Sequence, residues 1–157
     1  MSSAPRHIAP PEKHAPLHGL LEMAAQLATE EFYAALSEQG YDDIRPVHGC
    51  VFGHIEPEGS RLTDLAARAG FTKQTVGEVT TDLEHMGYVE RLPDPEDRRA
   101  KIIRLTERGQ AAQARGVRLI ADTEARWERR YGRARVAELR ALLEEVIGKT
   151  EATQRAA

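Results

Sequence analysis

Leu17, Leu20, Leu21, Ala24, Leu27, Ala28, Phe32 and Leu36 recur at three- and four-residue intervals and predict one long helix with a continuous apolar stripe. Gly40 ends it, because a glycine just past the last turn takes the left-handed conformation that closes a helix. A shorter helix begins near Pro46, whose fixed φ and missing N–H suit a first turn. Val47, Val51, Phe52 and Ile55 form its expected buried face, and Pro57-Glu58-Gly59 breaks it. Thr63 is the expected N-cap of a helix over residues 64–69, with Leu65, Ala66 and Ala69 inward. Gly70 supplies a tight turn, and Thr72 caps the next helix over residues 73–86, stopped by Gly87. Two short helices around a glycine corner form a helix-turn-helix. The period then changes: residues 88–92 and 101–105 read as strands joined through Pro93-Asp94-Pro95-Glu96-Asp97. A hairpin attached after the second helix, with Arg98, Arg99 and Lys101 near its tip, has the layout of a wing. Beyond Thr106, a further N-cap, Val117, Ile120, Ala121, Trp127 and Tyr131 mark a long helix. After Gly132, Val136, Leu139, Leu142, Leu143, Val146 and Ile147 mark the last one.

The predicted fold is therefore mostly α with a small β-hairpin: a winged helix-turn-helix over residues 46–106, flanked by long helices over 17–40 and 107–147. Residues 1–16 carry four prolines and few apolar side chains, and are expected to form a disordered arm. Residues 148–157 are expected to be a flexible tail. The terminal helices carry longer apolar stripes than one small domain covers, and symmetric self-association is the common solution.

On the helix over residues 73–86, Val76, Val79, Leu83 and Met86 share one face. Gln74, Gly77, Glu78, Thr81 and His85 share the other, with Lys73 and Thr75 near the start. In a helix-turn-helix the N-terminal part of the second helix meets base edges. Gln can bond adenine bidentately, Thr can donate, accept or offer a methyl, and Lys can reach guanine or phosphate. Gly77 allows close backbone approach. Glu78 repels phosphate unless it accepts from a cytosine amino group. The candidate DNA-contacting set is Thr63, Thr72, Lys73, Gln74, Thr75, Gly77, Glu78, Arg98, Arg99 and Lys101. The wing arginines suit a narrow minor groove. Asp97 is expected to pair with an arginine and set the tip geometry.

Charge and composition narrow the rest. A formal net charge of −3 means that any affinity for nucleic acid comes from local charge placement. A single cysteine, Cys50, excludes an internal disulfide and fits a reducing compartment. No apolar run reaches the ~20 residues of a membrane span, and no secretory h-region precedes residue 17, so a cytoplasmic protein is expected. The six histidines form no ligand cluster, and no nucleophile–base pair or phosphate-cradling loop is present. Neither an enzyme nor a metal or other cofactor is expected.

The segments Leu62-Thr-Asp-Leu-Ala, Thr72-Lys-Gln-Thr-Val, Leu83-Glu-His-Met-Gly-Tyr-Val-Glu-Arg, Pro93-Asp-Pro-Glu-Asp-Arg-Arg-Ala-Lys and Arg104-Leu-Thr-Glu-Arg-Gly together resemble the MarR family of transcription regulators. With the flanking helices, the resemblance covers residues 17–147. It implies a sequence-specific regulator, most often a repressor, that binds a pseudo-palindromic operator in double-stranded DNA. It also implies a homodimer built from the first and last helices, with its two recognition helices in successive major grooves. Asp97 and Arg99 are implied as the wing's ion pair and minor-groove contact, and a small aromatic or phenolic acid as effector. The chain departs from the family pattern at Gly77 and Glu78, where a serine and a basic or polar residue are common. Two alternatives to a ligand-responsive repressor stand beside it. One is a winged-helix module that binds protein or senses a ligand without strong DNA binding. The other is a thiol redox sensor acting through Cys50, beside Arg45 and His48. Trp127, Tyr131 and Tyr33 suit either a ligand cavity or simple packing, so no ligand residue is assigned.

Overall fold

The apolar stripe that opens the described chain folds as α1, Leu17–Ser37, and Gly40 at φ 87° turns the chain away from it. Of that stripe only Leu36 is buried by this chain, while Leu17, Leu20, Leu21 and Leu27 stay exposed. The computed structural model describes residues 15–97 and 99–155, the last seven as backbone only. The predicted arm, but for its last two residues, and Arg98 lie outside the described residues.

Pro46 opens a 3-10 turn, Pro46–His48, that runs into α2, Gly49–Phe52. This corrects the expected single helix and its face. A 3-10 turn has three residues per turn rather than 3.6, which rotates Val47 out to 44% exposure and His48 fully into the core. Val51 and Ile55 are buried as the pattern required. Ser60–Arg61 forms a short strand, β1, that the sequence reading missed, because two residues carry no alternation to detect.

The helix pair follows as α3, Leu62–Ala69, and α4, Lys73–His85. Gly70, at φ 69°, closes α3 in the left-handed conformation. The expected cap at Thr63 is a second correction: Arg61 holds the N-cap position without a side-chain capping bond, and Thr63 lies within the first turn. β2, Val89–Pro93, and β3, Lys101–Leu105, pair antiparallel from Val89 opposite Leu105 to Pro93 opposite Lys101. β1 adds to the free side of β3, giving the order β1-β3-β2. Leu65, Val76, Leu83, Tyr88, Val89 and Ile103 are at most 2% exposed and make the centre of the core.

Thr106 caps α5, Glu107–Tyr131; its hydroxyl accepts the Gly109 N–H at 3.1 Å and donates to the Gly87 carbonyl at 2.6 Å. Small residues let α5 pack closely on the rest of its unit: Gly109, Ala112 and Gly116 are its buried positions. A Cβ on Gly116 would already press on Phe32 at 3.3 Å. The chain divides into two compact units after Val117, inside α5 rather than at its start.

In the second unit α5 continues to Gly132, at φ 94°, and α6 runs Arg133–Arg155. Arg140 pairs with Glu124 at 2.8 Å and Arg133 with Glu128 at 3.3 Å. Leu139, Leu142 and Ile147 are about half exposed or more. The helix continues past Gly148, where the sequence reading ended it. An interior glycine costs a helix only about 1 kcal/mol, and most of the residues that follow are good helix formers. No described helix is long and apolar enough to cross a membrane.

Candidate nucleic-acid interface

α4 begins on a well-made cap. The Thr72 hydroxyl accepts the Thr75 N–H at 3.1 Å, and the two threonine hydroxyls share a bond at 2.9 Å. Thr72 and Thr75 are thus tied to each other and fix the helix start. Lys73, Gln74 and Glu78 are exposed beyond them, and the Gln74 amide nitrogen donates to Glu78 Oε1 at 3.1 Å. A Cβ on Gly77 would meet only Leu62 Cδ2, at 3.6 Å, so packing does not demand a glycine there. Lys73, Gln74, Gly77, Glu78, Thr81 and His85 line an open cleft of ≈ 650 Å³ along the outer face of α4.

The rest of α4 is braced rather than open. Thr81 donates to the Gly77 carbonyl at 2.9 Å and accepts from Arg91 at 3.0 Å, while Arg91 also pairs with Glu84. Asp82 takes the Arg45 guanidinium and lies 3.2 Å from Nε2 of buried His48, whose Nδ1 accepts the Arg45 N–H at 3.0 Å. With Nδ1 committed as acceptor, the imidazole proton belongs on Nε2, facing Asp82. That hydrogen bond first, and the Arg45 charge after it, hold the Asp82 carboxyl below its ordinary range. Sequence reading missed this brace, since nothing local signals a contact 34 residues apart.

The wing is anchored by a pair that the sequence did not single out. Asp94, buried at 3% exposure, takes Arg61 Nε at 2.5 Å and the Glu96 N–H at 2.8 Å. Those two bonds, in that order, depress its pKa. Asp97 does shape the tip, though through the backbone: its carboxylate accepts the Arg99 N–H at 2.9 Å, an Asx turn. Among the described residues Asp97 thus meets Arg99 through its backbone N–H, and the ion pair at the base of the wing is Arg61–Asp94. An Asp between two prolines was the available hint; its partner on an unpredicted strand was not. Arg99 and Lys101 are exposed at the tip, and Thr63 is exposed on α3, where its hydroxyl donates to Asp64 at 3.3 Å.

The fold's charges sort by place. Arg45, Arg61, Arg68, Arg91, Arg104 and Arg108 each pair with a carboxylate. Lys73, Arg99 and Lys101 pair with none among the described residues. Cys50 is buried, and burial pushes its thiol pKa up, the opposite of the electropositive setting that makes a reactive thiolate. Tyr33 donates to the Pro46 carbonyl at 3.4 Å, Trp127 lines a groove of ≈ 270 Å³ between α5 and α6, and Tyr131 is exposed.

Residues 56–101, from the loop before β1 through the wing to the first residue of β3, match the MarR family model. The chain is similar to a transcriptional repressor, CouR, solved bound to a 23-mer DNA duplex: 26% identity over 84% of this chain and 92% of that one, TM-score 0.71. The reduced form of MarR from E. coli is 25% identical over 86% of this chain and 98% of its own, also at TM-score 0.71. A MarR-family regulator from Rhodococcus sp. RHA1, 22% identical with TM-score 0.65, shares the fold. A comparison with curated protein sequences gives no match.

Proposed function

We propose that this chain is a MarR-family winged helix-turn-helix regulator, a ligand-responsive repressor that grips a pseudo-palindromic DNA operator as a homodimer. One observation carries the reading. The framework arginines are neutralised within the fold, while Lys73 at the start of α4 and Arg99 and Lys101 at the wing tip keep their charge for an outside anion. Phosphate contacts of that kind fix a protein's register on a duplex, and base-edge contacts from the start of the helix supply specificity. Gln74 and Glu78 are the base-reading candidates; Thr63, Thr72 and Thr75 stand beside them, with Arg98 and Arg99 for the minor groove. The relative solved on a DNA duplex supports DNA as the partner.

The homodimer reading rests on apolar surface. Leu17, Leu20, Leu21 and Leu27 in α1, and Leu139, Leu142 and Ile147 in α6, are exposed on a single chain. Isologous pairing would remove both stripes from water. Release from DNA by a small aromatic or phenolic acid follows from the family resemblance.

Selection from a pool of random duplexes tests the proposal. The expected product is an inverted repeat with half-site centres about one helical turn apart. A pool that enriches no motif, or only a single unrepeated half-site, would overturn it.

A further inference from the structure

Three carboxylates lie on α4, and two are accounted for by the fold: Asp82 by Arg45 and His48, Glu84 by Arg91. Glu78 pairs with no cation among the described residues; its partner is the side-chain amide of Gln74, one turn earlier on the same exposed face. A negative charge on a surface meant for phosphate weakens binding to every sequence unless it is used. We propose that Gln74 and Glu78 act as one unit that selects an exocyclic amino group, adenine N6 or cytosine N4, on the base edge that α4 faces. The inference rests on the DNA-binding reading above.

The chemistry follows from what each group can offer. A carboxylate only accepts hydrogen bonds, so the Gln74 amide must turn its nitrogen toward Glu78. That fixes the amide plane and leaves its oxygen and second N–H pointing onward, the arrangement that bonds adenine N6 and N7 together. The second oxygen of Glu78 remains an acceptor and suits the amino group of cytosine. Guanine O6 and thymine O4 are acceptors themselves, so against the Gln74 oxygen or the free Glu78 oxygen they meet lone pair with lone pair, and only the one N–H left to Gln74 could serve them. The neighbouring hydroxyls cannot relieve that clash. Thr81 already serves Gly77 and Arg91, and Thr72 and Thr75 serve each other. Gly77, which sets no side chain between Gln74 and Glu78, lets the pair reach the base edges.

The full-length protein is titrated by fluorescence anisotropy against its selected duplex and against random duplex. In one arm, each adenine of a half-site is replaced in turn by purine; in the other, each cytosine by 2-pyrimidinone, so that only the amino group is lost. At one position per half-site the wild type should lose about tenfold or more in affinity, and the arm in which this occurs identifies N6 or N4. Glu78→Ala and Gln74→Ala, both at exposed positions, should be indifferent to the same replacement. Glu78→Ala should also bind random duplex more tightly than the wild type, a gain that a merely structural glutamate would not give. Indifference of the wild type to every amino deletion, or an unchanged base preference in Glu78→Ala, would overturn the inference alone. A wild type that binds neither duplex would overturn the DNA-binding reading along with it.

Discussion

Leu20→Asp combined with Leu27→Asp should yield a monomer that has lost its operator. The two leucines lie seven residues apart on the same face of α1 and are 39% and 51% exposed in the single chain. Full burial of a leucine is worth about 1.5–3 kcal/mol, of which the exposed half leaves about 1 kcal/mol for the interface, and two-fold symmetry brings each position into it twice. Four carboxylates in that seam would also be forced out of water without partners. Once the protomers separate, each half-site is bound alone, and the linked gain of about 10²–10⁴ in affinity disappears. The reading unit should survive, because its core of Leu65, Val76, Leu83, Tyr88 and Ile103 includes neither leucine. Sedimentation equilibrium should report one chain, with the helical circular dichroism retained and operator affinity down by orders of magnitude. A variant that sediments as a dimer would show that α1 does not form the seam.

The second large effect is expected at Gly109, in the first turn of α5. A Cβ there would run into the Tyr88 carbonyl oxygen and stand 3.1 Å from Leu105 Cδ2. The carbonyl cannot retreat, since it accepts the Thr106 N–H at 3.0 Å and belongs to a fully buried residue. The Tyr88 hydroxyl is held as well, donating to Asp43 at 2.5 Å and accepting from Arg108 at 2.9 Å. Burial first, and then the Asp43 bond, push its pKa up to about 12, so it stays a donor across the working range. Gly109→Ala should therefore cost about 3 kcal/mol, the upper end for overpacking, and lower Tm by roughly 10 °C. Gly148→Ala makes the opposite case: nothing lies within 4 Å of the added carbon, and alanine is the better helix former. It should raise stability slightly. Thermal unfolding of the two variants side by side checks the contrast, and a Gly109→Ala protein as stable as the wild type would refute the close contact. The same joint packs the start of α5 on Tyr88 and Leu105 at the base of the wing, so loosening it should also weaken DNA binding.

Much of the frame was legible because it is written in local chemistry. The α1 stripe, the threonine caps at Thr72 and Thr106, the glycines after α3 and α4, and the strand at 101–105 each depend on neighbours a few residues away. What escaped is non-local or too short to show a period. Val47 faces water because the helix at Pro46 starts as a 3-10 turn, which no wheel drawn at 100° per residue anticipates. β1 is two residues long and exists only because β3 offers an edge. Arg61–Asp94 and His48–Asp82 join residues more than thirty positions apart, so the wing anchor and the α4 brace became visible only in three dimensions. At the candidate interface the residue types were readable, but the commitments were not. Only the structure separates Thr72, Thr75 and Thr81, spent on the helix itself, from Lys73, Gln74 and Glu78, which are left facing outward.

The most direct test of a paired reader on DNA is an anisotropy titration of the selected duplex at several salt concentrations, with stoichiometry fixed by native mass spectrometry. Lys73, Arg99 and Lys101 from two protomers should give two chains per duplex and a slope of log affinity against log salt of about −5. One chain per duplex, or an affinity that salt leaves unchanged, would contradict it.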